Sequence, residues 1–237
     1  ESPRWQVLRG YQSQAQATLT HIGGEEYALA EMESIRQSVS ADASAEKAGL
    51  KTLFSRKYAT VLTLGIIIAV FQQWCGTNVI FNYAQEIFSA AGYSVGDVLF
   101  NIVVTGVANV IFTIVALFTI DRWGRRSLML FGAGSLSVIY LIWGTCYHFH
   151  VTGFGMVILV VLAISAYAMT LGPVTWVLLA EIFPNRVRGI AMATCTFALW
   201  VGSCTLTFFF PPMNAALGSS GSFWIYSAIC CDGFFYF

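Results

Sequence analysis

Residues 58–87 read YATVLTLGIIIAVFQQWCGTNVIFNYAQEI, and this stretch decides the fold class. A helix that crosses the hydrocarbon core of a bilayer needs about 20 predominantly apolar residues, and this stretch is long enough. A transmembrane barrel would instead need strands of about ten residues with alternating polarity. The nearly continuous apolar run Val61–Val70 lacks that alternation. The stretch therefore predicts a membrane-spanning helix.

The same apolar pattern repeats along the rest of the chain. Hydrophobic residues make up 57% of the 237 residues and charged residues only 10%, which excludes an ordinary soluble domain. Residues 1–57 are polar and predict a separate segment. Further spans are predicted at about 97–120, 127–147, 155–180 and 190–211, with a sixth from Ser222 to Phe237. The chain is therefore predicted to be an all-α membrane protein.

The basic residues predict the orientation of these spans. All twelve Lys and Arg lie in alternate segments, at residues 1–57, 121–126 and 181–189. The connections between them, at about 88–96, 148–154 and 212–221, contain none. Because basic loops stay on the cytoplasmic side, residues 1–57 are predicted to be cytoplasmic.

Charge and residue types exclude several function classes. The net charge is zero, which gives no electrostatic reason to expect a nucleic-acid partner. The six cysteines lie in apolar spans without metal-ligand spacing, so no metal site is predicted. No pattern indicates a paired nucleophile and base or a phosphate-binding loop. We therefore expect no enzyme activity and no cofactor.

Three amide side chains lie inside the first predicted span. Gln72, Gln73 and Gly76 share one face of a helix, and Asn78 joins that face only if the helix breaks near Gly76. Polar groups within a membrane cost free energy, so they are functional candidates. They could instead hold neighbouring helices together by hydrogen bonds. Three amides so close together favour a ligand site.

Polar or aromatic residues mark three further spans. Asn109 belongs to a stripe spaced by four residues, for which packing and cavity lining both remain open. Pro173 predicts a bend in the fourth span, just before Trp176. Trp200 lies on one face with Ser203, where packing is again an alternative. Amides that bind hydroxyls, together with flat rings, suit a carbohydrate pocket.

Two short cytoplasmic turns pair acids with arginines. They are residues 121–126, DRWGRR, and residues 181–188, EIFPNRVR. The placement of basic residues inside the cell explains the arginines but not the acids at the helix ends. We predict a charge network that links these helix ends.

Five motifs in the same order resemble the sugar porter branch of the major facilitator superfamily, and within it most nearly the bacterial D-xylose–proton symporter type. The motifs are ESPRW at 1–5, QQWCGTN at 72–78, DRWGRR at 121–126, GPVTW at 172–176 and EIFPNRVRG at 181–189. The resemblance implies the C-terminal six-helix half of that fold, with five complete spans and a truncated sixth. Residues 1–57 would be a cytoplasmic linker with short helices, and residues 58–237 the transmembrane bundle.

The resemblance also implies roles for individual residues. The residues expected to contact sugar at the bilayer midplane, between the two halves, are Gln72, Gln73, Asn78, Asn109, Trp176 and Trp200. The residues expected to form the inward gate's charge network are Glu1, Arg4, Asp121, Arg125, Glu181 and Arg188. Leu199, Ser203 and Asn82 depart from the family pattern near the pocket, which leaves the identity of the sugar open.

The expected function is transport of a monosaccharide, a pentose or hexose, by alternating access. The resemblance favours proton coupling in the intact protein, with the candidate proton carrier in a first helix outside this chain, and leaves facilitated diffusion open. The alternatives are a polyol or inositol carrier and a membrane sugar sensor that does not transport. The expected partners are the sugar, the lipid bilayer and a missing N-terminal half. The expected location is the cell membrane, as a multi-pass protein, which in a bacterium is the inner membrane.

Overall fold

The computed structural model describes residues 2–44, 53–85, 95–151 and 153–237, and within these ranges it contains helices and no strand. The chain divides into two units, Glu1–Thr52 and Leu53–Phe237. The all-α prediction is confirmed.

The first unit contains two helices, α1 (Pro3–Leu8) and α2 (Gln12–Ser44). Ser2 caps α1, because its hydroxyl accepts a hydrogen bond from the Trp5 N–H at 3.3 Å. Helix α2 is interrupted at Gly24, where φ is 85°. Arg36 beyond this break donates to the Gln12 side chain before it, at 2.7 Å, so the two parts of α2 lie side by side. The cytoplasmic location of this unit stays a prediction.

The second unit contains seven helices in the part of the chain that the structure describes. They are α3 (Arg56–Trp74), α4 (Thr77–Asn82), α5 (Val95–Trp123), α6 (Arg125–His148), α7 (Phe154–Met169), α8 (Leu171–Ile182) and α9 (Asn185–Tyr236). Helices α3 and α4 together form one apolar stretch, and so do α7 and α8. The predicted loop at 88–96 lies largely in residues 86–94, outside the described residues.

Helix α9 contains two membrane crossings. Its 52 residues would extend about 78 Å as one straight helix, far more than a bilayer needs. The helix is interrupted at Gly218, where φ is 71°. The predicted loop at 212–221 is therefore wrong in its bounds, because the helix continues through Pro211 and Pro212. Prolines are tolerated in membrane helices when neighbouring groups satisfy the freed backbone, and here the chain turns only at the glycine.

Two other apolar stretches are interrupted, the fourth as its proline predicts and the first at Gly76, where the sequence left a break open. The first span is interrupted between Trp74 and Thr77, where Gly76 has a φ of 86°. The fourth is interrupted at Thr170, three residues before Pro173. Proline clashes with the preceding turn, and in α8 it occupies the first turn, where a backbone N–H has no helical partner.

The second crossing of α9, residues 219–236, packs against α6. Trp143 of α6 stacks on Phe223 with ring centroids 4.3 Å apart. In the same helix contact, each of two serines donates to the other's backbone carbonyl, Ser137 to Ser227 at 2.9 Å and Ser227 to Ser137 at 2.8 Å. Small residues with reciprocal hydrogen bonds allow close contact between membrane helices. This contact fixes the last crossing against α6.

Candidate functional site

The break between α3 and α4 brings the three predicted amides together. Gln72 and Gln73 are buried, with 4% and 7% of their surface exposed. The Gln73 Nε2 donates to the Gln72 Oε1 at 3.0 Å, and the Asn78 Nδ2 donates to the Gln73 Oε1. The Asn78 amide also donates to the Ser203 hydroxyl at 3.2 Å. These four side chains form one hydrogen-bonded series, called here the amide chain.

Backbone hydrogen bonds show how the break is made. The Gly76 N–H bonds to the Gln73 carbonyl at 3.4 Å, one residue short of the α-helical partner. The Val79 N–H bonds to the Gly76 carbonyl at 3.1 Å, again one residue short. Glycine permits the left-handed backbone that this switch requires. The residues of α4 are therefore rotated about the helix axis relative to a continuous α3, and Asn78 reaches the face that carries Gln73.

A groove of about 670 Å³ lies beside the amide chain. Its lining includes Tyr83, Trp200, Ser203, Thr207, Phe208 and Pro211. The Tyr83 hydroxyl donates to the Thr207 carbonyl at 2.9 Å, which joins α9 to the residue that follows α4. Ser203 belongs to both the groove and the amide chain. The volume is in the range of small-molecule sites, and the groove offers the Trp200 ring beside polar groups.

Asn109 and Trp176 lie on helices α5 and α8, whereas the amide chain lies on α3, α4 and α9. In the described ranges no hydrogen bond joins either side chain to it. Asn109 is partly buried in α5, a helix that packs on α7, and Trp176 of α8 is 40% exposed. In the same polar stripe, the Thr113 hydroxyl donates to the Asn109 backbone carbonyl at 2.7 Å. Sugar contact by these two residues stays a prediction.

Three of the candidate residues lie at similar depth in their helices. At 1.5 Å per residue, Gln72 is about 24 Å along the stretch Arg56–Asn82, which extends about 39 Å. Trp200 is about 23 Å from the start of α9, and Asn109 about 15 Å from Leu99 in a stretch of about 36 Å. Each position is near the middle of a crossing.

The charge network forms in part. Arg125 Nη2 lies 3.1 Å from Asp121 Oδ1 and 2.9 Å from Glu181 Oε1, so one guanidinium connects the ends of α5, α6 and α8. Gly124, with a φ of 82°, is the single residue between α5 and α6 and brings Asp121 close to Arg125. Arg188 instead donates to the Phe183 carbonyl at 3.3 Å.

The other predicted members of the network are Arg188, Glu1 and Arg4. Among the described residues no ion pair involves Arg188. Glu1 lies outside the described residues, and Arg4 belongs to the first unit. Their part in the network stays a prediction.

Sequence reasoning missed the role of Ser203. The sequence shows Ser203 as a departure from a family pattern and as a residue on the same helix face as Trp200, but not as the link between the amide chain and the groove. Its spacing of three residues from Trp200 puts the two on one helix face, and that was the available signal.

Comparisons with known proteins agree with this fold. The sequence model of the family described as "Sugar (and other) transporter" matches residues 1–237. The chain is 34% identical over 230 residues to the arabinose-proton symporter of Bacillus subtilis (strain 168) and 34% identical over 235 residues to the D-xylose-proton symporter of Escherichia coli (strain K12). Each alignment covers 97% of this chain but 49% and 47% of those proteins. The chain thus spans about half the length of the curated relatives it matches.

A solved structure gives the same result. The structure of a proton:xylose symporter of the major facilitator superfamily bound to 6-bromo-6-deoxy-D-glucose matches with a TM-score of 0.80 at 31% identity. The match covers 100% of this chain and 50% of that one. The predicted fold class is confirmed, and these relatives are sugar transporters, in agreement with the prediction of no enzyme activity. The chain belongs to the sugar transporter family, whose members are multi-pass membrane transporters, and it forms a six-helix half of the major facilitator fold.

Proposed function

We propose that the intact protein containing this chain carries a monosaccharide, a pentose or hexose, across the cell membrane by alternating access. The observation that carries the proposal is the amide chain, which places Gln72, Gln73 and Asn78 in contact with one another midway through a crossing. Buried amides in a membrane are costly, and they persist where they serve a ligand or a neighbouring helix. The adjoining groove favours the ligand.

The chemistry of the site suits a sugar. Each amide has two N–H donors and an oxygen that accepts two hydrogen bonds, so bonds within the amide chain use only part of this capacity. The remainder matches the hydroxyls of a monosaccharide. Trp200, which is 64% exposed, offers a flat ring for the C–H face of a pyranose.

The names of the relatives support the substrate class and the coupling. Two relatives at 34% identity are named for arabinose and D-xylose and as proton symporters. We therefore infer a proton-coupled carrier of pentoses or similar hexoses. A relative at 32% identity is named the major myo-inositol transporter of Bacillus subtilis, which makes a polyol carrier the second candidate.

The complementary half of the transporter is the proposed partner of this chain. Trp176 and Trp200 leave 40% and 64% of their surfaces uncovered, and Trp200 lines the groove. A site between two halves would cover such rings when the halves meet. The charge cluster around Arg125 is proposed to close the cytoplasmic side, together with Glu1, Arg4 and Arg188.

Counterflow in proteoliposomes tests this function. Proteoliposomes that contain the full-length protein are loaded with unlabelled D-xylose, L-arabinose or D-glucose, one sugar at a time. They should accumulate the labelled form of that sugar from outside. An inward proton gradient should drive net accumulation of the same sugar. Exchange of myo-inositol alone would select the second candidate. No exchange of any sugar or polyol by folded, reconstituted protein would contradict the proposal.

A further inference from the structure

The second crossing of α9, residues 219–236, packs against the break between α3 and α4. Tyr226 and Cys230 contact that break, and Gly233 lies against the Phe71 ring of α3 just before it. They are spaced by four and three residues, so they share one face of the helix. None of the three lines the groove.

Tyr226 occupies the space beside Gly76. A side-chain carbon at position 76 would lie 2.8 Å from the Tyr226 ring, closer than packed atoms allow. The ring is 1% exposed, and its hydroxyl has no hydrogen-bond partner among the described residues. The contact of Tyr226 with Gly76 therefore depends on the ring's shape. Glycine at this position satisfies both the left-handed backbone and the close approach of the ring.

Cys230 satisfies a carbonyl that the break leaves without its helical partner. In a continuous helix the Cys75 carbonyl would accept from the Val79 N–H, but that N–H bonds to the Gly76 carbonyl instead. The Cys230 thiol donates to the Cys75 carbonyl at 3.7 Å. Cys75 does the same one turn earlier, donating to the Gln72 carbonyl at 2.9 Å. Weak thiol donors thus replace the lost backbone bonds.

The last crossing is itself held firmly. Its reciprocal serine hydrogen bonds and its stacked Phe223 join it to α6, as described above. A fixed helix that contacts a broken one defines where the break lies and how far α4 turns. Asn78 is the second residue of α4, so its amide position depends on that turn.

We propose that Tyr226 and Cys230 are positioning residues for the sugar site: they contact Gly76 and Cys75 at the α3–α4 break and thereby set the position of Asn78 in the amide chain. This inference rests on the proposed sugar site. Neither residue contacts the sugar, so both act through the backbone at residues 75–78.

Two readouts on the purified full-length protein test the proposal. The first needs no sugar: hydrogen–deuterium exchange of the backbone amides of residues 76–80. Tyr226→Ala should accelerate exchange there by about tenfold, and Cys230→Ala by about threefold, because a lost packing contact or hydrogen bond destabilises the closed backbone. Tyr226→Phe and Cys230→Ser should restore slow exchange. Cys231→Ala, an adjacent exposed thiol, is the matched control.

The second readout is D-xylose binding and uptake. Tyr226→Ala and Cys230→Ala should raise Kd and KM by similar factors while the maximal rate changes less. A positioning residue stabilises the bound state and the transition state of transport equally, so its loss lowers affinity and not the maximal rate. Tyr226→Phe and Cys230→Ser should return KM to the parent value. A smaller amount of folded protein would lower the maximal rate and would not change KM. If Tyr226→Ala fails to fold, the cysteine pair decides the question alone.

The outcomes separate this inference from the proposed function. A parent protein that binds no sugar would contradict the proposed function, and the exchange readout would still decide the positioning role. Exchange and affinity in Cys230→Ala equal to those in Cys231→Ala would overturn the inference. Faster exchange at residues 76–80 with weakened xylose binding, both reversed by Cys230→Ser, is the expected result.

Discussion

Removal of the middle amide should weaken sugar binding more than removal of an end. Gln73 bonds to Gln72 on one side and to Asn78 on the other, so Gln73→Ala disconnects both. Loss of one hydrogen bond to sugar costs about 1 kcal/mol. Fixing the two released amides when sugar binds costs about 0.5–1 kcal/mol each. The total of about 2–3 kcal/mol corresponds to a rise in Kd of roughly 30- to 150-fold.

The assay is calorimetric titration of D-xylose into the purified full-length protein. Gln72→Ala removes an end of the amide chain. It should raise Kd by about tenfold or more, but by less than Gln73→Ala does. Thr205→Ala is the control at similar depth, since the Thr205 hydroxyl donates to the Val201 carbonyl of its own helix at 2.7 Å. A folded, monodisperse Gln73→Ala protein with an affinity within about threefold of the parent would refute the reasoning.

Three further predictions test other parts of the account. Trp200→Ala should raise the Kd for D-xylose by about three- to tenfold through loss of ring contact, and Trp200→Phe should recover most of it; equal Kd values in all three proteins would exclude the ring from the site. Glu181→Gln should change the free energy of unfolding by less than about 1 kcal/mol, because its pair with Arg125 is half exposed, yet it should alter the transport rate; an unchanged rate would argue against a gate here. In a cysteine-free background, a cysteine at Ser219 should react with an impermeant reagent from outside and one at Ser44 should not, and the reverse would invert the orientation.

The sequence predicts the membrane crossings well because a helix inside the hydrocarbon core needs a long run of apolar residues, and such runs are visible in the sequence. It also identifies Gly76 as the place where a break would bring the three amides onto one face, and the structure has that break. The charge contact between Arg125 and Glu181 follows similarly from acids at helix ends. These features depend on local composition and spacing, which a single sequence contains.

Features that depend on which helices are neighbours could not be predicted. Helical spacing shows that Tyr226 and Cys230 share a face, but nothing in the sequence indicates that this face meets the break. The same limit applies to Ser203, whose partner Asn78 is distant in the chain. The end of the fifth crossing differs from the prediction for another reason: the two prolines at 211–212 indicate a loop locally, whereas the helix continues through them as far as Gly218.

The position of a bound sugar tests the central claim most directly. Crystals of the full-length protein with 6-bromo-6-deoxy-D-glucose, a ligand present in the structure of a related symporter, would allow the bromine to be located by its anomalous scattering. The account predicts one bromine site in the groove, with the sugar ring between the amides of Gln72, Gln73 and Asn78 and the Trp200 indole. A well-ordered sugar bound elsewhere, with the amide chain unoccupied, would contradict it.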